Sequence, residues 1–533
     1  MLFLNEKGLE NRAEWLEKGY RLPSFDRKEM IRRTAESPVW VHFGAGNIFR
    51  AFQCAAMQKL LDEGKTGSGI IAVEGFDYEI VEKGYRPSGN YSLLVTLKSD
   101  GSVEKTVVGS IAESCMLDSG NPAEFDHLKS VFSSPSLQLA SFTITEKGYV
   151  VRDAEGKLLP AVAADLEAGP EKPESYLGKV VSLLFARYRA GGAPVAMVSM
   201  DNCSHNGEKL YQAVRVFAEG WKDEGFLSYV SDPARVSFPW TMIDKITPRP
   251  DASVEEMLRA DGLQGLDPVV TSKHTYIAPF VNAEESEYLV LEDRFPNGRP
   301  PLEAAGFLFT DRETVNKVER MKVTTCLNPL HTALAVYGCL LGYTRISAEM
   351  KDPDLVGLIR RIGYDEGLPV VTDPGILNPR EFIDTVVNVR LPNPFMPDTP
   401  QRIACDTSQK VPIRFGETIK SYLAAPSRDA ASLTAIPLAI AGWLRYLLGV
   451  DDRGEPFEIS PDPLLPRLTE ALQGIRLGFP ETAEGKIDGL LSDPALFGTC
   501  LLGTGLDDKI KGFLASLLAG PGAVRNTLRK ALA

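Results

Sequence analysis

The segment PVWVHFGAGNIFRAFQCAAMQKLLDEG, residues 38–64, decides the fold class of the first half of the chain. Its apolar run from Val39 to Phe43 is typical of a buried parallel strand, and the tight turn Gly44-Ala45-Gly46 follows it. Apolar residues then recur at helical spacing over residues 49–60. A strand, a glycine turn and a helix together present backbone N–H groups to a pyrophosphate, so the segment predicts a dinucleotide-binding turn.

Phe49 stands where the usual GxGxxG pattern has its third glycine, so an ordinary tight turn is the alternative interpretation. The next apolar run, GSGIIAVEGFD at residues 67–77, favours a dinucleotide because it ends in carboxylates where one would bind the ribose. Asp77 is the first choice for that carboxylate and Glu74 is the second. Because either would repel a 2′-phosphate, the predicted cofactor is NAD rather than NADP. The other predicted cofactor-binding residues here are Gly44, Gly46, Asn47, Ile48, Phe49 and Arg50.

Two further apolar runs, at residues 137–149 and 193–207, end in polar residues and continue an α/β pattern. Because ligands lie beyond the carboxyl ends of parallel strands, we expect Thr145, Glu146, Asp201 and Asn202 near the cofactor, with Thr145 binding it. The alternating segment 91–115 turns at Ser99-Asp100-Gly101 and predicts a β-hairpin attached to the sheet.

The sequence changes in character near residue 306, beyond which amphipathic helical segments dominate. The predicted fold class is therefore α/β, in two domains. A Rossmann-type NAD-binding domain over residues 1–305 carries an N-terminal helical extension and the hairpin insertion. A mostly α-helical substrate and catalytic domain follows over residues 306–533.

Composition excludes several classes of function. The 533 residues carry a net charge of −13 and a pI near 5.2, which argue against nucleic acid and acidic membranes as partners. The N-terminus has no signal-peptide pattern, and the most apolar stretch, residues 432–449, contains Pro437 and Arg445 and predicts a buried helix. Seven cysteines without a CxxC pair indicate reduced thiols in a cytoplasmic protein. No histidines have metal-binding spacing, so no metal site is predicted.

The segment KVTTCLNPLHTALAVYG, residues 322–338, places an amine, an amide and an imidazole at the start of an apolar helix. On a purely structural interpretation, Asn328 caps the helix before Pro329, Lys322 is solvated and His331 is a satisfied core histidine. The functional interpretation is that these three side chains form a catalytic group.

Seven segments in chain order resemble the signatures of the polyol-specific long-chain dehydrogenases, the mannitol dehydrogenase family. They span residues 44–410 and read GAGNIFRAF, TITEKGY, SMDNCSHNG, FPWTMIDKITP, EDRFPNGRPPLEAAG, ERMKVTTCLNPLH and RIACDTSQK. The resemblance implies a metal-free, NAD-dependent oxidation of a secondary alcohol, with a lysine as base. It favours the functional interpretation of residues 322–338.

The resemblance also implies roles for individual residues. Lys322 matches the catalytic lysine, while Asn328 and Asn202 match two amides that stabilise the oxyanion, worth about 3 kcal/mol per donor. His331 matches a histidine that follows the lysine, and Glu319 matches a glutamate that passes the proton to water. The positions that match substrate-contacting residues of the family are Asp244, Arg402 and Lys410.

Two features depart from the family pattern. Asn328 and His331 lie six and nine positions after Lys322, where the family has five and eight. In a straight helix an offset of nine turns His331 about 180° away from Lys322, whereas an offset of eight leaves about 80°. We therefore predict a π-bulge, a proline kink or a new helix start between about 323 and 329, which brings the Lys322 amine within about 6 Å of the His331 ring. The second departure is Trp240, where the family usually has asparagine.

The substrate is the finer question. The stretch CLNPLHTALAVYGCLLGY, residues 326–343, resembles the family members that act on D-mannonate more than those that act on mannitol. Arg402, Lys410 and Lys322 would make a cationic pocket, and arginine binds carboxylates with two parallel hydrogen bonds. We predict reversible conversion of D-fructuronate and NADH to D-mannonate and NAD by a monomer or small homo-oligomer. The alternatives are a mannitol or arabinitol 2-dehydrogenase, a tagaturonate reductase and, more remotely, a non-catalytic NAD-binding sensor.

Overall fold

A computed structural model describes residues 1–249 and 252–533, which form two compact units. The first unit contains Met1–Lys98 and Ser102–Asn316, and the second contains Ser99–Gly101 and Lys317–Ala533. The domain boundary proposed near residue 305 remains a proposal. In the described ranges, no helix is both long and apolar enough to cross a membrane.

All of the named strands of the described chain belong to the first unit. In chain order they are β1 Tyr20–Arg21, β2 Trp40–Phe43, β3 Ile70–Glu74, β4 Ser92–Leu97, β5 Val103–Val108, β6 Ile111–Met116, β7 Leu139–Phe142, β8 Val195–Ser199, β9 Val236–Ser237, β10 Thr241–Asp244, β11 Val269–Val270, β12 Tyr276–Ile277, β13 Phe280–Glu284, β14 Tyr288–Glu292 and β15 Leu308–Thr310.

The α-helices occur in both units. Those before residue 311 are α1 Glu6–Leu9, α2 Arg12–Glu17, α3 Arg27–Glu36, α4 Cys54–Asp62, α5 Pro122–Ser133, α6 Pro160–Ala168, α7 Tyr176–Arg189, α8 Asn206–Gly220, α9 Glu224–Ser231 and α10 Ala252–Ala260. The later ones are α11 Arg312–Met321, α12 Asn328–Leu341, α13 Ile346–Glu349, α14 Pro353–Arg360, α15 Pro379–Thr385, α16 Pro400–Ile403, α17 Thr407–Arg414, α18 Gly416–Ala424, α19 Ala435–Tyr446, α20 Leu465–Ala471, α21 Asp488–Leu491, α22 Pro494–Phe497, α23 Leu506–Leu517 and α24 Ala523–Leu532.

Short segments of other helical geometry connect these elements. The π-helical ones are Phe49–Gln53, Ile80–Tyr85, Lys322–Cys326, Arg361–Gly367 and Val386–Arg390. The 3₁₀ ones are Arg86–Ser88, Glu146–Tyr149, Leu302–Ala305, Leu368–Val370, Ala430–Ser432 and Pro480–Ala483.

A six-stranded parallel sheet organises the first unit, with the strand order β6-β3-β2-β7-β8-β9. Numbered within this sheet, the order is 3-2-1-4-5-6, which is the doubly wound Rossmann arrangement. The direction of winding reverses between β2 and β7. Ligands of such sheets bind beyond the carboxyl ends of the strands at this reversal, so the topology directs attention to the loops after β2 and β7.

Alternating side chains of these strands enter two separate cores. Val41 and Ile71 belong to one core with side chains of α5, α7 and α8, whereas Trp40 and Ile70 belong to the other with side chains of α3 and α4. This alternation follows from the two-residue period of a strand and requires helices on both faces. The predicted Rossmann-type fold is confirmed.

The predicted hairpin is right in its first part and wrong in its second. Strands β4 and β5 pair antiparallel on either side of the turn, within a four-stranded sheet of order β1-β5-β4-β13. Residues 111–116, by contrast, form β6, which pairs parallel with β3 at the edge of the six-stranded sheet. An alternating pattern fits both an antiparallel hairpin and an edge strand with one buried face, so periodicity could not separate them.

The second unit is built from helices, as predicted for the C-terminal part. One core cluster runs from Met321 to Leu528, and α12 and α19 supply many of its members. All residues of α19 from Ala435 to Tyr446 are buried, which confirms the buried helix predicted for residues 432–449.

Candidate active site

The two glycines of the turn after β2 are needed for different structural reasons. Gly44 has a φ of +100°, and a Cβ at this position would lie 2.2 Å from the Thr143 carbonyl oxygen, in the loop after β7. Gly46 has open space instead, because a Cβ there would meet no heavy atom of the described chain within 4 Å. Gly44 therefore lets two strand ends approach each other, while Gly46 leaves open space beside the turn, and its role in binding a pyrophosphate stays a prediction.

The first turn of the following helix is π-helical over Phe49–Gln53 and continues into α4. Phe49, in place of the third glycine, stacks on the His42 ring at 4.1 Å with an interplanar angle of 3°. Arg50 is buried and donates to the Ala278 carbonyl at 2.8 Å and to Asn47 Oδ1 at 2.7 Å. Phe49 and Arg50 thus pack the turn internally, whereas Ile48 is half-buried.

The two carboxylates predicted to bind the ribose make internal hydrogen bonds. Glu74, at the end of β3, accepts from the Ala45 backbone N–H at 3.1 Å and from those of Phe76 and Asp77 at 2.7 and 3.0 Å. Asp77 is buried and accepts from Thr271 Oγ1 at 2.6 Å. Glu74 thereby fixes the glycine turn to the next strand, a role that spacing alone did not reveal.

The loop after β7 contains a strained residue held by a half-buried carboxylate. Thr145 has a φ of +64°, which is unusual for a β-branched residue. Asp201 accepts from the backbone N–H groups of Ile144 and Thr145 at 3.0 and 2.8 Å and from the Tyr149 hydroxyl at 2.6 Å. Burial raises the pKa of Asp201, while these hydrogen bonds oppose the shift. Thr145 and Asp201 are therefore in direct contact, while their predicted proximity to the cofactor stays a prediction.

Asn202, next to Asp201, is exposed on the loop after β8. The buried Asn206 holds this loop by donating to the Asp201 carbonyl at 2.9 Å and to Thr241 Oγ1 at 2.9 Å. Thr241 begins β10, and Asp244, which is buried, ends the same strand. Asn206 therefore fixes the loop of Asn202 to the strand of Asp244, which was not foreseen from the sequence.

Trp240, the departure from the family pattern, lies between two side chains of the same unit. Its ring stacks on His205 at 4.4 Å, and the Arg312 guanidinium lies over it at 4.8 Å. Arg312 also donates to Glu292 at 3.0 Å. Trp240 thus has a packing role that an asparagine could not supply.

The helix that carries the predicted catalytic lysine is irregular where the spacing requires it. Residues Lys322–Cys326 form a π-helical turn, and the Leu327 N–H donates to the Lys322 carbonyl at 3.1 Å. Leu327 leaves the helical region at φ −130° and ψ −61°, and α12 then begins at Asn328. The π turn absorbs one extra residue. The angle around the helix axis between Lys322 and His331 is therefore about 80°, as for the usual offset of eight, instead of about 180°. The predicted break is confirmed; the 6 Å separation stays a prediction.

The structural interpretation of these residues fails at three points. Lys322 is only 5% exposed, so it is not a solvated lysine. Asn328 is the first residue of α12, and no backbone N–H of the described residues donates to its side chain. The buried His331 Nε2 has no hydrogen-bond partner in the described ranges and lies 3.6 Å from Asp398 Oδ2. A buried polar atom such as His331 Nε2, without a hydrogen-bond partner in the described ranges, requires an explanation, and a catalytic role is one.

A cluster of basic side chains surrounds His331 in the second unit. Burial lowers the pKa of His331 to about 4; Asp398 opposes the shift, while Arg414, Arg402 and Arg390 add to it. Arg402 forms an ion pair with Asp398, and the Lys410 amine donates to the Ile403 and Cys405 carbonyls. Burial, followed by the charge of Arg414, lowers the pKa of Lys410. The predicted Arg402 is thus near His331 and the predicted Lys410 is near Arg414, whereas Arg390, Asp398 and Arg414 were missed because no local pattern marks them.

Glu319, the predicted proton-relay residue, is half-buried near the end of α11. The roles predicted for Glu319, Lys322, Asn328, His331, Asn202, Asp244, Arg402 and Lys410 stay predictions.

Glu113, Cys115 and His127 place three metal-ligating atoms within 4.8 Å of one another. His127 Nε2 lies 2.6 Å from Glu113 Oε1, and the Cys115 thiol donates to the same oxygen at 3.4 Å. The hydrogen bond to Glu113 raises the pKa of His127, so an ion pair accounts for the grouping. The metal-free reaction stays a prediction, based on the histidine spacing and on the resemblance.

Comparison with known proteins extends these observations over nearly the whole chain. The mannitol dehydrogenase Rossmann domain matches residues 39–304, and the mannitol dehydrogenase C-terminal domain matches residues 314–478. The D-mannonate oxidoreductase of Thermotoga maritima is 51% identical over 99% of this chain and 98% of its own length.

Two solved structures share the fold. The D-sorbitol dehydrogenase solved in substrate-free form matches with a TM-score of 0.79 at 26% identity, over 100% of both chains. The mannitol 2-dehydrogenase of Pseudomonas fluorescens, solved with NAD and D-mannitol, matches with a TM-score of 0.67 at 27% identity, over 100% of this chain and 99% of that one. The chain belongs to the mannitol dehydrogenase family.

Proposed function

We propose that this protein is an NAD-dependent oxidoreductase that interconverts D-mannonate and D-fructuronate. The observation that carries the proposal is the 51% identity to a D-mannonate oxidoreductase along 99% of the chain. The π turn at Lys322–Cys326 supports it, because it compensates the longer spacing between the lysine and its two partners. The partner is then a small sugar acid.

The turn after β2 would hold the cofactor. The open space at Gly46 and the N–H groups at the start of the following helix fit a pyrophosphate. NAD, when bound, accepts the hydride that leaves the alcohol carbon. Asp201 supports this site by accepting a hydrogen bond from the Thr145 N–H, which fixes the backbone of Thr145 in its strained conformation.

The residues that match the family's catalytic group would handle the proton and the oxygen. The Lys322 amine takes the proton from the secondary hydroxyl, and Glu319 passes it on to water. The Asn328 and Asn202 amides donate to the oxygen as negative charge develops on it, an effect worth about 3 kcal/mol per donor. His331 holds a neighbouring substrate hydroxyl through Nε2, which has no hydrogen-bond partner among the described residues.

The seven cysteines are all free thiols, which supports a reducing compartment such as the cytoplasm. A monomer or small homo-oligomer is proposed on the resemblance.

The test is NADH consumption with D-fructuronate, D-tagaturonate and D-fructose, measured for the parent protein and for Lys322→Met. We expect D-fructuronate to give the highest kcat/KM. Lys322→Met should lower turnover at least about 100-fold while leaving NADH affinity within about twofold. Lys351→Met, at an exposed position of the same unit, is the matched control and should retain turnover.

Each alternative has its own signature in this assay. Highest efficiency with D-tagaturonate indicates a tagaturonate reductase, and highest efficiency with D-fructose indicates a polyol 2-dehydrogenase. NADH binding without turnover of any compound indicates a sensor. Near-normal turnover by Lys322→Met would show that Lys322 is not the base.

A further inference from the structure

Arg414 is a guanidinium at the end of α17 that the resemblance does not single out. It is half-buried, and Nη1 donates to Thr332 Oγ1 at 2.5 Å. Thr332 follows His331 on α12, and Lys410 lies one helical turn before Arg414 on α17. Arg414 therefore lies beside two residues that the proposed function places at the substrate.

Arg414 differs from the neighbouring cations in its partners. Arg402 has a side chain that is 62% exposed and is paired with Asp398, and the Lys410 amine is held by two backbone carbonyls. Arg414 has no carboxylate partner in the part of the chain that the structure describes, although burial lowers its pKa to about 10. A partly desolvated cation without a counter-charge favours binding of an anion, because a charge withdrawn from water is stabilised by an opposite one.

A group without a hydrogen-bond partner in the described ranges lies close by. His331 Nε2 is buried without a hydrogen-bond partner in the described ranges. The next residue in the chain, Thr332, accepts the hydrogen bond from Arg414. An imidazole nitrogen suits a sugar hydroxyl, whereas the planar guanidinium fork suits a carboxylate. The two groups together have the chemistry to bind a molecule that carries hydroxyls and one carboxylate.

We propose that Arg414 binds the carboxylate of the substrate and sets the preference of the enzyme for sugar acids over neutral polyols. The proposal rests on the proposed function, because it places this carboxylate beside His331 and Lys410. Arg414 holds the charged end of the substrate and takes no part in proton or hydride transfer. Arg390, which is buried on the π turn Val386–Arg390, adds positive charge near His331.

The test compares Arg414→Gln and Arg414→Lys with the parent protein on D-mannonate and on D-mannitol, with NAD in excess. Gln can still donate to Thr332 Oγ1 but carries no charge, whereas Lys keeps the charge and loses the fork. Arg529→Gln is the matched control, because Arg529 lies on α24 with a side chain that is 64% exposed. Thermal melting and NADH affinity check that each variant is folded.

We expect Arg414→Gln to raise KM for D-mannonate about 10- to 100-fold, as for loss of a charge-assisted hydrogen bond, with kcat within about threefold. Its kcat/KM for D-mannitol should stay within about threefold of the parent value, so the preference for the acid falls by the same factor. The KM of Arg414→Lys for D-mannonate should lie between those of the parent protein and Arg414→Gln. Arg529→Gln should match the parent protein on both substrates. If Arg414→Gln does not fold, Arg414→Lys alone decides, through a rise in KM confined to the acid.

Two results would overturn the proposal: an unchanged KM for the acid, or an equal loss on acid and polyol. Failure of the proposed function appears differently, as a parent protein that does not oxidise D-mannonate. If that parent oxidises another sugar acid, the same variants are tested on that acid. A parent protein that oxidises neutral polyols alone would overturn both.

Discussion

Replacing Gly44 with alanine tests whether the dinucleotide turn depends on close backbone approach. An alanine at a φ of +100° is strained by about 1–2 kcal/mol. Its Cβ would lie 2.2 Å from the Thr143 carbonyl oxygen, which is backbone and cannot rotate away. Moving it disturbs the pairing of β2 with β7, and overpacking of this kind costs about 1–3 kcal/mol. Gly44→Ala should therefore destabilise the protein by about 2–5 kcal/mol.

Gly46→Ala is the matched control, because it adds the same methyl group where the described chain leaves open space. It should change the free energy of unfolding by less than about 0.5 kcal/mol. A methyl group between the backbone and a pyrophosphate should nevertheless weaken NADH binding at least about tenfold, or about 1.4 kcal/mol. Urea unfolding and fluorescence titration with NADH measure the two quantities separately.

The pair of variants can refute the reasoning in two ways. If Gly44→Ala is as stable as the parent, the contact with Thr143 does not constrain the turn. If Gly46→Ala binds NADH normally, the open space beside Gly46 is not where the pyrophosphate lies.

Asp201→Asn replaces a carboxylate that accepts three hydrogen bonds with an amide whose NH₂ group faces one of the three donors. We therefore expect a loss of about 1–3 kcal/mol in the free energy of unfolding. NADH affinity should also fall, because the backbone of Thr145 loses the hydrogen bond that holds it. If NADH affinity is unchanged in this variant, Thr145 does not contribute to cofactor binding. His42 is buried, and desolvation lowers its pKa to about 3, below its ordinary value of about 6.5, so at pH 5 the unfolded chain binds a proton that the folded chain does not. Stability should therefore fall as the pH drops from about 6.5 towards 3, by about 2 kcal/mol at pH 5 from this residue, and His42→Gln should show a flatter curve in denaturant titrations across that range. Equal slopes for the two proteins would contradict the assignment.

Several features of this protein follow from its sequence alone because they depend on local geometry. A strand, a glycine turn and a helix lie within 27 consecutive residues, so the dinucleotide turn could be predicted without tertiary information. The irregular helix is a similar case, since an offset of nine between Lys322 and His331 is incompatible with one face of a regular α-helix. Once the family resemblance assigned Lys322 and His331 to one substrate, a break was predictable because a regular helix turns 100° per residue; the structure decided that it includes a π turn.

The tertiary structure alone decided what depends on residues distant in the chain. The alternating segment 111–116 became a parallel edge strand because β3 offered it a partner, which its own pattern could not indicate. Glu74 bonds the glycine turn rather than standing free, since folding brings the end of β3 beside Ala45. Arg414 gained its importance in the same way. Its neighbours His331 and Thr332 lie more than 80 residues earlier. Only packing of α17 near α12 brings this partly desolvated guanidinium beside an imidazole nitrogen that has no hydrogen-bond partner among the described residues.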